Sequence, residues 1–108
     1  MKNSKGVEIM ACNFRILLHH NSDSVHLKLI GDFDGSSAHE LLNTIKTYST
    51  NANKVFIHTD GLKAVHPFGK AVFHNNFNDV NKQDVFFIFT GEYGNSLAPW
   101  KKESVIIN

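Results

Sequence analysis

The side chains able to do acid–base or ligand chemistry here are seven histidines, ten carboxylates and a pair of adjacent serines. A metal centre would need histidines spaced to converge. His19 and His20 are adjacent on a strand-like run, so they point to opposite faces and cannot chelate together. His26, His39, His58, His66 and His74 show no H-x₃-H or H-x-H spacing, and His66 and His74 are too far apart along a helix to share a ligand set. They read as scattered surface or partly buried side chains, with no metal and no cofactor. Asp34 and Asp60 both follow strand-like runs near one turn, where they would make a paired-acid or cation-holding site. The plainer reading makes Asp34 the cap of the loop before a helix. Ser36 and Ser37 on the same edge are caps or modification sites. His58, Asp60 and His66 are close enough in sequence to suggest a small catalytic rim. However, no nucleophile elbow, Ser-His-Asp order or glycine-rich phosphate loop accompanies them, and the chain reads as a non-enzyme.

The stretch Val65-His66-Pro67-Phe68-Gly69-Lys70 opens a helix. A helix N-terminus offers unpaired N–H groups and partial positive charge, so it favours anions. Pro67 fits at or just before the first helical position, where its fixed φ suits the turn. Phe68 either packs inward against the first helix, the commoner fate of Phe, or stands out as a docking anchor. Lys70 is a solvated lysine or a contact for an acidic partner.

These residues must be held by a frame, and the hydrophobic pattern supplies one. Phe14 to Leu18 reads as a strand, and Asn21 to Ser24 as a turn. Val25, Leu27 and Leu29 alternate with more polar neighbours, a second strand paired as a hairpin. Ser36 or Ser37 caps a helix, with Glu40 at capping-box distance from Ser37, and Ala38, Leu41, Leu42, Ile45 and Tyr48 mark its apolar face. Val55-Phe56-Ile57 begins a central strand buried on both faces. A second helix runs from about Phe68 to Asp79 through Val72, Phe73 and Phe77. Val85 to Phe89 is another buried strand, broken by Gly91 and Gly94. Ser96 caps a short helix whose first turn contains Pro99, and Val105 to Ile107 is a last strand. Phe14 to Leu18 or Val105 to Ile107 would be an exposed edge through which a homodimer forms by strand addition.

Composition sets the outer limits. With 108 residues, 42% of them hydrophobic, the chain can form one domain with its own core. Residues 1–12 read as a less ordered lead-in or edge segment. A formal charge of +1 without a Lys/Arg block argues against nucleic acid as a partner. The single cysteine, Cys12, rules out an intramolecular disulfide. No apolar run reaches the roughly 20 residues of a membrane helix, and Met1 to Glu8 lacks the apolar centre of a signal peptide. The expectation is a cytoplasmic protein with no membrane insertion.

Three stretches resemble the STAS domain family, the anti-sigma factor antagonists and the cytoplasmic domains of sulfate transporters. Ile30-Gly31-Asp32-Phe33-Asp34-Gly35-Ser36-Ser37-Ala38 is similar to the family's G-x-[LF]-D followed by small residues and an alanine opening the first helix. Lys54 to Leu62 is similar to its central strand. Val65-His66-Pro67-Phe68-Gly69 stands where the family reads hydrophobic-Asp-Ser-Ser/Thr-Gly. The likeness runs from Phe14 to Phe89 and weakens beyond, where Ser96 to Glu103 is too short for the family's third helix. It implies an α/β fold: a STAS-like mixed sheet of about five strands with helices packed on it, in the order β-β-α-β-α-β-short α-β. It also implies a bacterial regulatory protein–protein interaction module acting in signal transduction and transcription regulation. The partner would be an anti-sigma factor or kinase-like protein, docked through Asp34, Ser36, Ser37, His66, Pro67, Phe68, Gly69 and Lys70. Phe68 occupies the place of the serine that a kinase modifies in switched members, so the chain resembles a degenerate member without that switch. The alternative is an accessory subunit of a transport complex, or a small-molecule or lipid-binding domain with an apolar pocket beneath Phe68 and Phe73.

Overall fold

Alternating burial builds the sheet. The computed structural model describes residues 6–11, 13–80, 85–99 and 104–107. Strand β1 (Gly6–Ala11) runs antiparallel to β2 (Phe14–Asn21), which runs antiparallel to β3 (Ser24–Phe33). Phe14, Ile16 and Leu18 are buried on β2, and Val25, Leu27 and Leu29 on β3, while the residues between them are less so. That period of two is what a sheet with one covered face requires. Helix α1 (Gly35–Tyr48) leads to β4 (Lys54–Val65), and helix α2 (Pro67–Val80) leads to β5 (Phe86–Thr90). A one-turn helix α3 (Gly94–Leu97) precedes β6 (Ser104–Ile107). β3, β4, β5 and β6 pair in parallel.

The sheet has six strands in the order β1-β2-β3-β4-β5-β6. Because the order never reverses, right-handed crossovers that step in one direction place their helices on one face. The buried residues agree. Ala38, Leu41, Leu42 and Ile45 of α1 join Phe73 and Phe77 of α2 in one cluster with Ile16, Leu27, Ile57, Phe87 and Phe89. Phe73 makes edge contacts with Phe33 at 6.2 Å, Phe77 at 5.5 Å and Phe89 at 6.2 Å between ring centroids. Each such contact adds about 0.5–1.5 kcal/mol beyond area burial.

The mixed α/β sheet is the expected architecture, with several differences in detail. The segment read as a lead-in or edge segment contributes β1 at the edge of the sheet, which brings the strand count to six rather than about five. The outer strands of the sheet are therefore β1 and β6, and Phe14 to Leu18 is internal. The central strand extends to Val65, so the strand-to-helix turn shrinks to His66. Its Phe56 and His58 are only partly buried, so it is not covered on both faces. The short helix ends before Pro99 and contains Ser96, which does not cap it. Residues 100–103 and Cys12 lie outside the described residues.

Gly31 is required by a close backbone crossing. Its φ is +105°, and a Cβ there would lie 2.2 Å from the Asn13 carbonyl oxygen. That same carbonyl accepts the Asp32 N–H at 2.9 Å. The glycine of the Gly-Asp-Phe-Asp stretch thus lets the end of β3 run under the β1–β2 turn before Asp34 begins the helix.

Candidate functional site

Register brings the two helix starts side by side. Phe33 and Val65 pair at the ends of β3 and β4, and the His66 N–H donates to the Phe33 carbonyl at 2.9 Å. Asp34 is the N-cap of α1: its carboxylate accepts the Ser37 N–H at 3.0 Å. The Ser37 hydroxyl lies 2.9 Å and the Ser36 hydroxyl 3.0 Å from the same oxygen. The Ser37 backbone bond, then its hydroxyl, holds the Asp34 pKa below its ordinary value, with Ser36 and the nearby His66 adding to this. Ser36 and Ser37, expected as caps, are instead partners of the cap, and no Glu40 capping box is recorded. Ser37 is fully buried, 2.7 Å from the Asp32 carbonyl as well, which removes it as a modification site. Ser36 is exposed.

Helix α2 is pressed against this cap. A Cβ on Gly69 would sit 2.6 Å from the Asp34 carbonyl oxygen and 2.8 Å from that of Phe33. Only glycine permits that approach. It sets the first turn of α2 so that Pro67 is its first residue and Phe68 points away from the core. Phe68 is 72% exposed, and its ring lies across Gly35, where a Cβ would be 2.8 Å from the ring edge. The inward packing that Phe usually adopts is therefore not found here. His66 and Pro67 are exposed and Lys70 is partly so. The structure thus assembles Asp34, Ser36, Ser37, His66, Pro67, Phe68, Gly69 and Lys70 into one edge: an apolar ring set among polar groups, with one helix N-terminus already capped by a carboxylate. At positions 66, 67 and 68 the edge offers no hydroxyl.

The other sequence candidates separate. Asp60 lies at the bulge of β4, where Lys28 pairs with His58 and Ile30 with Gly61. Asp34 follows Phe33, which pairs with Val65, so the two carboxylates do not form a pair. His58 and His66 are held apart by the length of β4, roughly 26 Å for an extended strand, so no rim of His58, Asp60 and His66 exists. Phe73 is fully buried while Phe68 points outward, so the two rings do not face a common space. Among the described residues no group of three or more His, Cys, Asp or Glu side chains is placed to hold a metal ion. No helix there is long and apolar enough to cross a membrane.

Sequence spacing did miss one pair. His26 Nδ1 lies 2.9 Å from His58 Nε2, and His58 Nδ1 lies 2.7 Å from Thr90 Oγ1, on the sheet face opposite the helices. The signal was present as the polar alternation His26, Lys28 in β3 and His58, Asp60 in β4. It could be used only once the β3–β4 register was known.

A mixed sheet with helices crossing between parallel strands on one face, and two helix starts meeting at one edge, is the STAS-type α/β fold. The solved structure of the anti-sigma factor antagonist SpoIIAA in its unphosphorylated form is similar to this chain, with a TM-score of 0.57 and 13% sequence identity. The match covers 79% of this chain and 84% of that one. At this identity the likeness is one of fold. No family profile and no curated protein matches the chain.

Proposed function

We propose that this chain is a regulatory protein–protein interaction module of the anti-sigma factor antagonist type, acting in the bacterial cytoplasm without catalysis of its own. Its docking edge is Asp34 to Ser37 together with His66 to Lys70. The observation that carries this reading is Phe68, a large apolar ring held outward on a rigid double helix start. Exposed aromatic anchors within a polar rim are what binding hot spots are made of. In a phosphorylated relative, the charge of about −1.5 to −2 on a phosphoserine would remodel such an edge. Here Phe68 occupies that position and cannot take phosphate, so engagement is constitutive.

Calorimetric titration against a kinase-like anti-sigma factor from the same genome tests both parts. The chain should bind, Phe68→Asp should weaken binding at least tenfold with an unchanged fold by circular dichroism, and ATP should leave binding intact. Equal binding by Phe68→Asp would remove the edge from the reading. Stoichiometric phosphate on Ser36 would remove the constitutive part.

A further inference from the structure

The helix-free face of the sheet carries a cavity of about 520 Å³ lined by Leu17, His19, Asn21, His26, Lys28 and His58. That volume is in the range of small-molecule sites, roughly 300–1,000 Å³. Register explains why these side chains converge. His19 pairs with His26 across β2 and β3, and Lys28 pairs with His58 across β3 and β4, and paired residues share a face. Leu17 apart, the lining among the described residues consists of nitrogen-bearing side chains, with no carboxylate among those.

The histidines form a wired stack. His26 lies flat on Phe56, with centroids 4.3 Å apart and planes 2° from parallel, and is stacked on His58 at 5.2 Å. When the Thr90 hydroxyl donates to His58 Nδ1, His58 Nε2–H donates to His26 Nδ1, and the proton of His26 sits on Nε2. That nitrogen has no hydrogen-bond partner among the described residues, so the chain ends in a donor without an acceptor. Burial, then the neighbouring His26, lowers the pKa of His58, with Lys28 adding and Asp60 opposing. Burial, then His19, lowers that of His26. Arg15 shares this face on β2, and Glu8 holds the β1 register position opposite Leu17. The strand β5 contributes no titratable group.

We propose that this cavity is a binding site for a small organic anion, a carboxylate, sulfonate or phosphate head on a planar apolar body. The head is held by His26 Nε2, His19 and Lys28, and the body rests on Leu17 and the His26 imidazole, which Phe56 backs. The anion supplies an acceptor for His26 Nε2, which has none among the described residues, and it offsets the crowding of positive charge. Binding therefore favours the protonated histidines and takes up protons, so affinity rises as pH falls.

The probe is benzenesulfonate, whose charge does not change between pH 5 and 8, titrated into the full chain and followed by imidazole and amide NMR. Neutral benzyl alcohol is its uncharged counterpart. Saturable shifts are expected at His26, His58 and their β3 neighbours, with at least tenfold preference over benzyl alcohol. Affinity should fall several-fold from pH 5.5 to 7.5. Lys28→Gln and His26→Gln, each checked for a dispersed amide spectrum, should weaken binding at least fivefold, whereas Phe68→Asp should leave it unchanged. Absence of saturable shifts with benzenesulfonate, equal affinity for benzyl alcohol, or undiminished binding by folded Lys28→Gln would overturn the assignment.

Discussion

Phe68 and Asp34 show how differently two residues of one edge carry weight. Because the Phe68 ring is 72% exposed, Phe68→Ala should shift stability by no more than about 0.5 kcal/mol in urea denaturation. Its loss should be felt in partner binding instead. Asp34 caps a helix, and Asp34→Ala should destabilise by about 1 kcal/mol. Asp34→Asn, which keeps an acceptor, should lose less. The acid dependence has a definite sign. The folded pKa of Asp34 lies below 3.8, so its contribution is present above that value and is lost as pH falls through the folded pKa. Urea midpoints of Asp34→Asn should therefore respond less to acid than those of the parent chain. The sequence could nominate Asp34, Ser36 and Ser37 as caps but not rank them. Ser37 was passed over because its hydroxyl is drawn to the Asp32 carbonyl at 2.7 Å, leaving Asp34 free to cap.

At the scale of elements, the meeting of α1 and α2 depends on a missing methyl group. Gly69→Ala would place a Cβ 2.6 Å from the Asp34 carbonyl oxygen, so the start of α2 must move. A loss of about 1–3 kcal/mol is expected, the range for overpacking a close contact, together with weaker partner binding. Phe73→Ala opens a cavity between α2 and the sheet and should cost about 3–5 kcal/mol. Thermal denaturation of both variants checks these values. The two long helices were legible because their apolar faces recur at helical spacing, and Pro67 marked the start of α2. Less legible was the length of β4. Polar His58, Thr59 and Asp60 interrupt its apolar run, yet Thr59 is fully buried and bonds the Thr90 carbonyl at 2.7 Å, which continues the strand.

For the whole molecule, the one-way strand order leaves two unlike faces, a phenylalanine-rich core under the helices and a histidine-bearing open face. The open face should register in the pH dependence of folding. Both His26 and His58 have folded pKa values lowered from 6.5, so between those values and 6.5 the unfolded chain binds more protons. Stability should therefore be greatest above about pH 6.5 and fall as the solution is acidified through that window. The double variant His26→Gln/His58→Gln should flatten the slope of urea midpoint between pH 7.5 and 5. An unchanged slope would mean that the pair does not set it.

Periodicity is a local property, and it was enough to mark most strands, both long helices and the Val65–Gly69 turn as the place where helix α2 begins. Contacts between distant segments are set by register and by close approach, and neither is written locally. Pairing of Phe33 with Val65 made one edge of two helix starts. The glycines at 35 and 69 let that edge close up and turned Phe68 outward. Pairing of Lys28 with His58 brought His58 against His26, residues that one-dimensional spacing had kept apart.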